Sequence, residues 1–178
     1  NREKLSLGII YPQVHKLPIS KSVRENEDFK LHIEAFRDSL EMDDIHVSEH
    51  PEAFNFLCYN DALNQLKKKA PYGFFNEWGW DNEYSSITFN FEYTNLNRKT
   101  IKYINVFFVV TNDVGDVRKT GNFKGTGPLS EFESASWNWD HSSYYVAGDA
   151  SNMSINKVVI TYMDGTQKVL PKNMIQFD

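Results

Sequence analysis

The 178-residue sequence contains a single cysteine, Cys58. One cysteine excludes an intramolecular disulfide and any zinc cluster built from cysteines. His15, His32 or His50 could in principle act as a base for it, but its neighbours match no known nucleophile context. A lone cysteine in an apolar helix is typical of a small buried hydrophobic residue. The sequence therefore predicts that Cys58 is a packing residue and that the fold is stabilised by packing.

Long apolar runs and an excess of positive charge are lacking as well. With 19 basic and 24 acidic residues the formal net charge is -5, so no general field attracts nucleic acid or anionic lipid. No segment approaches the roughly 18 apolar residues of a membrane span. The chain begins at Asn1 rather than at a methionine, so the lack of a leader in it is no argument for the cytoplasm. We expect no nucleic-acid partner and no membrane span in this chain; the oligomeric state is left open.

Most motifs of catalysis are missing. The sequence has no glycine-rich nucleotide fingerprint, no Walker loop and no nucleophile elbow, and its dispersed acidic residues nominate no glycosidase pair. Residues 46–50 do spell the His-x-x-Glu-His pattern of one class of zinc peptidases, but Pro51 disfavours a helix at His50 and a third ligand is not apparent. We therefore expect no catalytic residue, no metal and no cofactor. The alternative is a metal-dependent hydrolase that uses His46, Glu49 and His50.

The first half of the sequence has the period of α-helices. Ser22 and Glu25 have the spacing of a capping box, so a first helix is predicted to begin there or at Asn26. A second helix is predicted from Pro51 to just before Pro71. Each has an apolar stripe, which predicts that the two helices pack on each other. The stripes are Phe29, Ile33, Phe36 and Leu40 in the first helix, and Phe56, Tyr59, Leu63, Leu66 and Ala70 in the second.

From about Tyr84 the period changes to 2, which is typical of β-strands. Residues 85–95 alternate apolar and polar side chains, whereas residues 100–112 are apolar on both faces and are predicted to form a central strand. Asp164 and Gly165 predict a two-residue hairpin turn. At least five short strands without intervening helices favour an antiparallel sandwich. The predicted fold is α+β, with a helical region and aromatic linker over residues 1–83 packed on a β-sandwich over residues 84–178.

Four segments between Lys102 and Thr166 carry a resemblance to a known family: KYINVFFVVTNDVGDV, GTGPL, WNW and INKVVITYMDGT. They resemble an immunoglobulin-like β-sandwich module that recurs in uncharacterised extracytoplasmic bacterial proteins. In that module a strand leads into an Asn-x-x-Gly-Asp loop, a Thr-Gly-Pro turn and a closing hairpin at Tyr-x-Asp-Gly. The resemblance covers about the last half of the chain. It implies a secreted, periplasmic or cell-surface accessory domain, such as part of an envelope lipoprotein, without recognised catalytic residues.

The loop after the apolar strand contains Asp113 and Asp116 on either side of Gly115. Calcium requires six to eight oxygen ligands, and a phosphate cradle requires amides at a helix N-terminus, so neither site is favoured. The loop is instead predicted to be a turn in which Asn112 and Asp113 bond their own backbone and Gly115 has a positive φ. The glycines at 121, 125 and 127, with Pro128, are predicted to turn the chain between sheets.

Aromatic residues, 15% of the chain, provide the main functional lead. They cluster in PYGFFNEWGWDNEY and WNWDHSSYY, where the rings could stack on sugars or peptide side chains and the neighbouring amides and carboxylates could bind polar groups. The same rings could fill the space between the helices and the sandwich, as in a structural spacer. The sequence favours a noncatalytic binding or structural module that recognises a protein or a glycan. The candidate ligand-binding residues are Trp78, Trp80, Trp137, Trp139 and Tyr144.

Overall fold

The computed structural model describes residues 23, 25–42, 51–83, 86–142 and 150–177. These residues form two helices and seven strands, an α+β arrangement of antiparallel sheets as predicted. The chain divides into two compact units between Pro71 and Tyr72. The elements are α1 (Glu27–Met42), α2 (Pro51–Lys69), β1 (Phe74–Glu83), β2 (Ser86–Thr94), β3 (Ile101–Thr111), β4 (Val117–Leu129), β5 (Ser134–Ser142), β6 (Asn152–Tyr162), β7 (Gln167–Pro171) and a 3-10 helix (Lys172–Met174).

The first unit contains α1 and α2, which pack on each other as predicted. Asn26 caps α1, because its side-chain oxygen accepts a hydrogen bond from the backbone N–H of Phe29 at 2.9 Å. Phe29 is buried, and α2 contributes a matching buried stripe. Lys69 at the end of α2 forms an ion pair with Asp28 in the first turn of α1. Within the described residues, neither helix is long and apolar enough to cross a membrane. The buried residues of the α2 stripe are Ala62, Leu63 and Leu66, with Ala70 just beyond the helix.

The second unit consists of two antiparallel sheets. A three-stranded sheet has the order β1-β2-β5, and a four-stranded sheet has the order β4-β3-β6-β7. Residues 86–94 and 101–111 form the strands that the period of 2 predicts, and β3 is paired on both sides. The buried residues of β2 and β3 alternate along each strand. They are Ile87, Phe89, Phe91 and Tyr93 in β2, and Ile104, Val106, Phe108 and Val110 in β3.

The inner sides of the two sheets pack against each other in one hydrophobic core. Phe89 of β2 stacks on Phe123 of β4, with ring centroids 4.7 Å apart, and Phe123 stacks in turn on Phe108 of β3 at 4.6 Å. Full burial of such a side chain contributes about 1.5–3 kcal/mol. The aromatic content of the sequence therefore serves the contact between the sheets.

The sequence predicts an aromatic linker before residue 84, but in the structure residues 74–83 form the strand β1. Two features conceal this strand in the sequence: the break in alternation beside Asn76, where the pairing register shifts, and Gly79, which has low strand propensity. Phe75 anchors the start of β1, where its N–H donates to the carbonyl of Gln176 at 2.9 Å. Tertiary pairing thus makes a strand of a segment whose local pattern resembles a linker.

The glycines at 121, 125 and 127 do not turn the chain between sheets, because all three lie within β4. At Gly125 an added Cβ would lie 2.7 Å from the side chains of both Ile104 and Trp137, and at Gly121 it would lie 2.8 Å from the ring of Phe108. Because these two glycines have no side chain, Phe108, Ile104 and Trp137 can pack against the backbone of β4.

The hairpin predicted at Asp164 and Gly165 joins β6 to β7. Its loop covers residues 163–166 rather than two residues, and Gly165 has a φ of 83° whereas Asp164 does not have a positive φ. The predicted hairpin is confirmed, and the predicted turn length of two residues is wrong. The reason is that Thr166 closes the loop: the Asp164 carboxylate accepts hydrogen bonds from its N–H and its hydroxyl.

Candidate functional site

Trp78 and Trp80 of β1 lie directly opposite Phe91 and Phe89 of β2. Directly opposed residues of an antiparallel pair project from the same side of the sheet, so both indoles lie on the side of the buried phenylalanines. The Trp78 ring is 6.0 Å from the rings of Phe89 and of Phe177 near the end of the chain. Both tryptophans are partly buried and pack against the core.

Trp137 and Trp139 of β5 flank the same two phenylalanines from the other side of β2. Trp139 stacks on Phe91 at 5.0 Å and on Phe123 of the opposite sheet at 5.1 Å. The indole N–H of Trp137 donates to the carbonyl of Thr126 in β4 at 3.3 Å. These contacts close the side of the sandwich where β4 and β5 meet.

The four candidate tryptophans therefore lie together on the inner side of the three-stranded sheet, two at each of its edges. They do not form a flat platform that faces outward, which is the geometry that stacking on a sugar or peptide requires. Tyr144, the fifth candidate, lies outside the described residues.

The outer face of the three-stranded sheet is polar and acidic. Glu92 of β2 accepts hydrogen bonds from Asn76 of β1 and from Ser136 of β5. Strands β1, β2 and β5 contain no lysine or arginine. Their acidic residues are Glu77, Asp81, Glu83, Glu92 and Asp140.

The outer face of the four-stranded sheet has the opposite character. Tyr103, Phe107 and Val109 of β3 alternate with the buried residues, so they project outward and are only partly buried. Strands β3, β4, β6 and β7 contain no aspartate or glutamate. Their basic residues are Lys102, Arg118, Lys119, Lys124, Lys157 and Lys168. Lys124 and Lys157 are on the outer face, because they lie opposite Asn105 and Phe107. Lys119 and Lys168 lie opposite Val110 and Ile160, which project inward.

An open cleft of about 500 Å³ lies around Phe107 on this face. Its position coincides with a bulge in β6: Phe107 pairs with Lys157 and Phe108 with Ile155, so Asn156 is the extra residue. A bulge re-aims the side chains beside it, and Asn156 and Lys157 are both exposed. The volume is within the range of small-ligand sites, about 300–1,000 Å³. The lining residues are Phe107, Phe108, Val109, Thr120, Gly121, Asn122, Asn156 and Lys157.

Lysine side chains cover the aromatic rings of this face. The Lys157 ammonium lies 4.2 Å from the centre of the Phe107 ring, and that of Lys124 lies 3.6 Å from the centre of the Tyr103 ring. Such contacts hold a cation over a ring face with a modest gain of about 0.5–1 kcal/mol at exposed sites. The cleft thus combines apolar contact area with placed positive charge and with the amides of Asn122 and Asn156.

The loop between β3 and β4 has the geometry of a turn. The side-chain oxygen of Asn112 accepts a hydrogen bond from the N–H of Asp116 at 2.8 Å, and Gly115 has a φ of 89°. Among the residues that the structure describes, no group of three or more histidines, cysteines, aspartates or glutamates could hold a metal ion. His46, Glu49 and His50 lie outside those residues, as does the side chain of Cys58.

Two tyrosines of the sandwich have raised pKa values because they are buried. Burial, followed by the nearby Tyr72 and Asp164, raises the pKa of Tyr162 to about 12. Burial also raises the pKa of Tyr93, whose hydroxyl donates to the carbonyl of Tyr72 at 3.1 Å. Both residues are packed into the core, so these shifts indicate structural rather than catalytic positions.

The sequence reasoning missed the cleft. One signal was present, because Phe107 and Val109 put apolar side chains on the second face of β3. The other lining residues come from β4 and β6, and their proximity depends on strand order and on the bulge. Neither can be read from a strand pattern.

Comparison with known proteins identifies no family. No family model and no curated protein matches the sequence. Among solved structures, IrmA from Escherichia coli has a TM-score of 0.41 at 11% identity and covers 60% of this chain and 92% of its own. The ApaA protein from Bordetella pertussis has a TM-score of 0.35 at 11% identity, over 56% of this chain and 89% of its own. OgpA from Akkermansia muciniphila has a TM-score of 0.33 at 15% identity, over 58% of this chain and 28% of its own. Likenesses at these scores carry no argument about fold family or function.

Proposed function

We propose that this protein is a noncatalytic binding module that recognises a protein or glycan ligand on the outer face of its four-stranded sheet. The observation that carries the proposal is the open cleft around Phe107, where an aromatic ring, two asparagine amides and a lysine converge. Ligand sites are typically concave, with apolar contact area and a few placed polar groups. The aromatic residues remain central to the proposal, but Phe107 replaces the inward-facing tryptophans as the contact residue.

The sandwich is, as part of this proposal, an immunoglobulin-like one. In constant-type immunoglobulin domains the first, second, fifth and fourth strands form one sheet and the third, sixth and seventh form the other. The orders β1-β2-β5 and β4-β3-β6-β7 differ from this only in the sheet to which β4 belongs. Variable-type domains also place an additional strand in the sheet of the third strand. The strand order supports the resemblance that the sequence shows over residues 102–166.

A location outside the cytoplasm completes the proposal. It rests on that same resemblance, which implies a secreted, periplasmic or cell-surface protein of a bacterium. An accessory domain of this kind presents a binding face without catalysing a reaction, and a fold by itself assigns no activity.

The experiment is a screen of the full chain on peptide and glycan arrays, followed by calorimetric titration of each ligand that binds. The test variant is Asn122→Trp, which would fill the cleft from an exposed position of β4. We expect it to weaken binding by about tenfold or more, since a blocked contact surface loses at least about 1.4 kcal/mol.

The matched control is Asn90→Trp, an exposed asparagine on β2 of the other sheet. It adds the same ring to the opposite outer face and is expected to leave the affinity unchanged. Equal effects of the two variants, or a ligand whose binding survives Asn122→Trp, would refute the cleft as the binding site. No ligand on either array would refute the proposed function itself.

A further inference from the structure

The two sheets of the sandwich carry opposite charge, and the boundary follows strand order rather than sequence order. Strand β5 is acidic although it lies between the basic strands β4 and β6 in the chain, because it pairs with β2 in the acidic sheet. The whole chain has a net charge of -5. The positive charge on the outer face of the four-stranded sheet is therefore local and opposite in sign to the net charge of the molecule. Fields of this kind select and steer partners of complementary charge.

From this we infer that the partner on the outer face of the four-stranded sheet is an acidic polypeptide segment, bound in extended form through Lys124 and Lys157. The inference rests on the proposed function and names the chemistry of its ligand. Among the described residues, no carboxylate lies within ion-pair distance of either ammonium group. Both groups are instead held over aromatic rings, so they are positioned to meet carboxylates from solvent.

The spacing of the two lysines fits an extended chain. Lys124 is opposite Asn105 and Lys157 is opposite Phe107, on the two strands that flank β3. With strands about 4.8 Å apart and about 3.4 Å per residue, the two backbone positions are separated by about 12 Å. In an extended peptide that distance joins acidic residues three or four positions apart.

The rest of the face suits a peptide better than a nucleic acid or an acidic polysaccharide. Val159 and Val169 lie side by side across β6 and β7 and offer apolar contacts, with Val169 50% exposed. Asn122 and Asn156 supply amide donors and acceptors that match a peptide backbone. A long polyanion would extend beyond this face toward the acidic sheet, whereas a short segment meets the positive face alone.

The test uses fluorescence anisotropy of the full chain with a labelled peptide of three Glu-Ser-Val-Glu repeats. Its neutral counterpart carries glutamine at each glutamate, and polygalacturonate serves as the acidic polysaccharide. We expect the glutamate peptide to bind about tenfold more tightly than the glutamine peptide, as two exposed ion pairs predict. Its affinity should fall as salt rises from about 50 to about 300 mM.

The test variant carries Lys124→Gln and Lys157→Gln and is expected to lose that advantage of about tenfold. The control carries Arg98→Gln and Lys68→Gln, which remove the same charge from exposed positions in the β2–β3 loop and in α2. The control should bind the glutamate peptide as the parent does. Equal affinity for the two peptides, equal effects of the two double variants, or tighter binding of polygalacturonate than of the peptide would each overturn the inference.

The two proposals fail separately. If Asn122→Trp abolishes binding of an array ligand while the lysine variant binds that ligand normally, the cleft stands as a site and the acidic partner is excluded. If the glutamate peptide does not bind at all, the acidic partner is excluded whatever the arrays show.

Discussion

At the scale of single residues, Gly125 of β4 is a site of close packing between the two sheets. Gly125 lies where Ile104 of the same sheet and Trp137 of the opposite sheet both approach. Protein interiors are packed to the density of organic crystals, so even one added methyl group at such a point must displace a neighbour. The glycine is therefore a packing requirement in the middle of a strand.

We predict that Gly125→Ala destabilises the sandwich by about 1–3 kcal/mol, the usual cost of an overpacked core. The added Cβ would lie 2.7 Å from atoms of both Ile104 and Trp137. Urea unfolding followed by tryptophan fluorescence measures the difference, because the indole environments change when the sheets separate.

Gly79→Ala is the control for this substitution. Gly79 is also a strand glycine, but the nearest atom to its added Cβ is the side-chain oxygen of Asn90 at 3.0 Å. That atom is at the end of an exposed side chain that can move aside, so the expected change is within about 0.5 kcal/mol. If the two variants lose equal stability, the close approach of Ile104 and Trp137 to Gly125 does not explain the loss.

At the scale of elements, one network ties the β6–β7 hairpin to the β2–β3 loop. The Lys99 ammonium lies 2.8 Å from the carboxylate of Asp164 and also donates to the hydroxyl of Thr166 at 2.9 Å. The hydrogen bonds from Lys99, followed by those from Thr166, hold the pKa of Asp164 well below its ordinary value. The network depends on the ionised carboxylate.

We predict that the Asp164 carboxyl titrates below the ordinary aspartate pKa of about 3.9. Because the folded-state pKa is lowered, the stabilisation is complete above the ordinary pKa and is lost as the pH falls toward the folded-state value. The side-chain carboxyl ¹³C shift, followed against pH, gives the midpoint. Lys99→Met should raise that midpoint toward the ordinary value.

Lys102→Met is the control variant. Lys102 is an exposed lysine in β3, and its ammonium lies over the Tyr103 ring rather than beside Asp164. It should leave the midpoint unchanged. An Asp164 midpoint at the ordinary value in the parent, or one insensitive to Lys99→Met, would contradict the network.

At the scale of the whole molecule, the second unit begins at Tyr72 and contains its own core. Its first strand supplies Phe75, whose ring lies 5.0 Å from Tyr93 and 5.4 Å from Phe177. The sequence pattern predicts a linker in place of this strand and a sandwich that begins at residue 84, whereas the second unit begins at Tyr72. Fragments that begin at these two residues can therefore be compared.

We predict that a fragment of residues 72–178 folds cooperatively by itself, whereas a fragment of residues 84–178 does not. The shorter fragment lacks β1, so one edge of β2 loses its hydrogen-bonded partner, and Phe91 and Phe89 lose Trp78 and Trp80 beside them. Near-ultraviolet circular dichroism and urea unfolding distinguish the two, because only a packed core gives aromatic dichroism and a sigmoidal transition. A folded fragment of residues 84–178 would restore the boundary that the sequence suggested.

The sequence by itself determined the elements whose pattern is local. The period of 2 over residues 86–94 and 101–111 follows from the alternation of side chains along a strand. The Pro51 start of α2 follows from backbone groups within one helical turn, as does the Asn26 cap, one of the two starts that the sequence predicted for the first helix. These features depend on neighbours a few residues away, so they can be read without knowing the rest of the fold.

Only the tertiary structure decided which face of β1 and β5 is inward and what lies opposite it. The tryptophans of WGW and WNW share a face in any strand, but the pairing with Phe89 and Phe91 turned that face into the core. The charge separation between sheets and the cleft at Phe107 likewise depend on which distant strands become neighbours. Burial is a property of pairs of surfaces, and the second surface is supplied by residues far away in the chain.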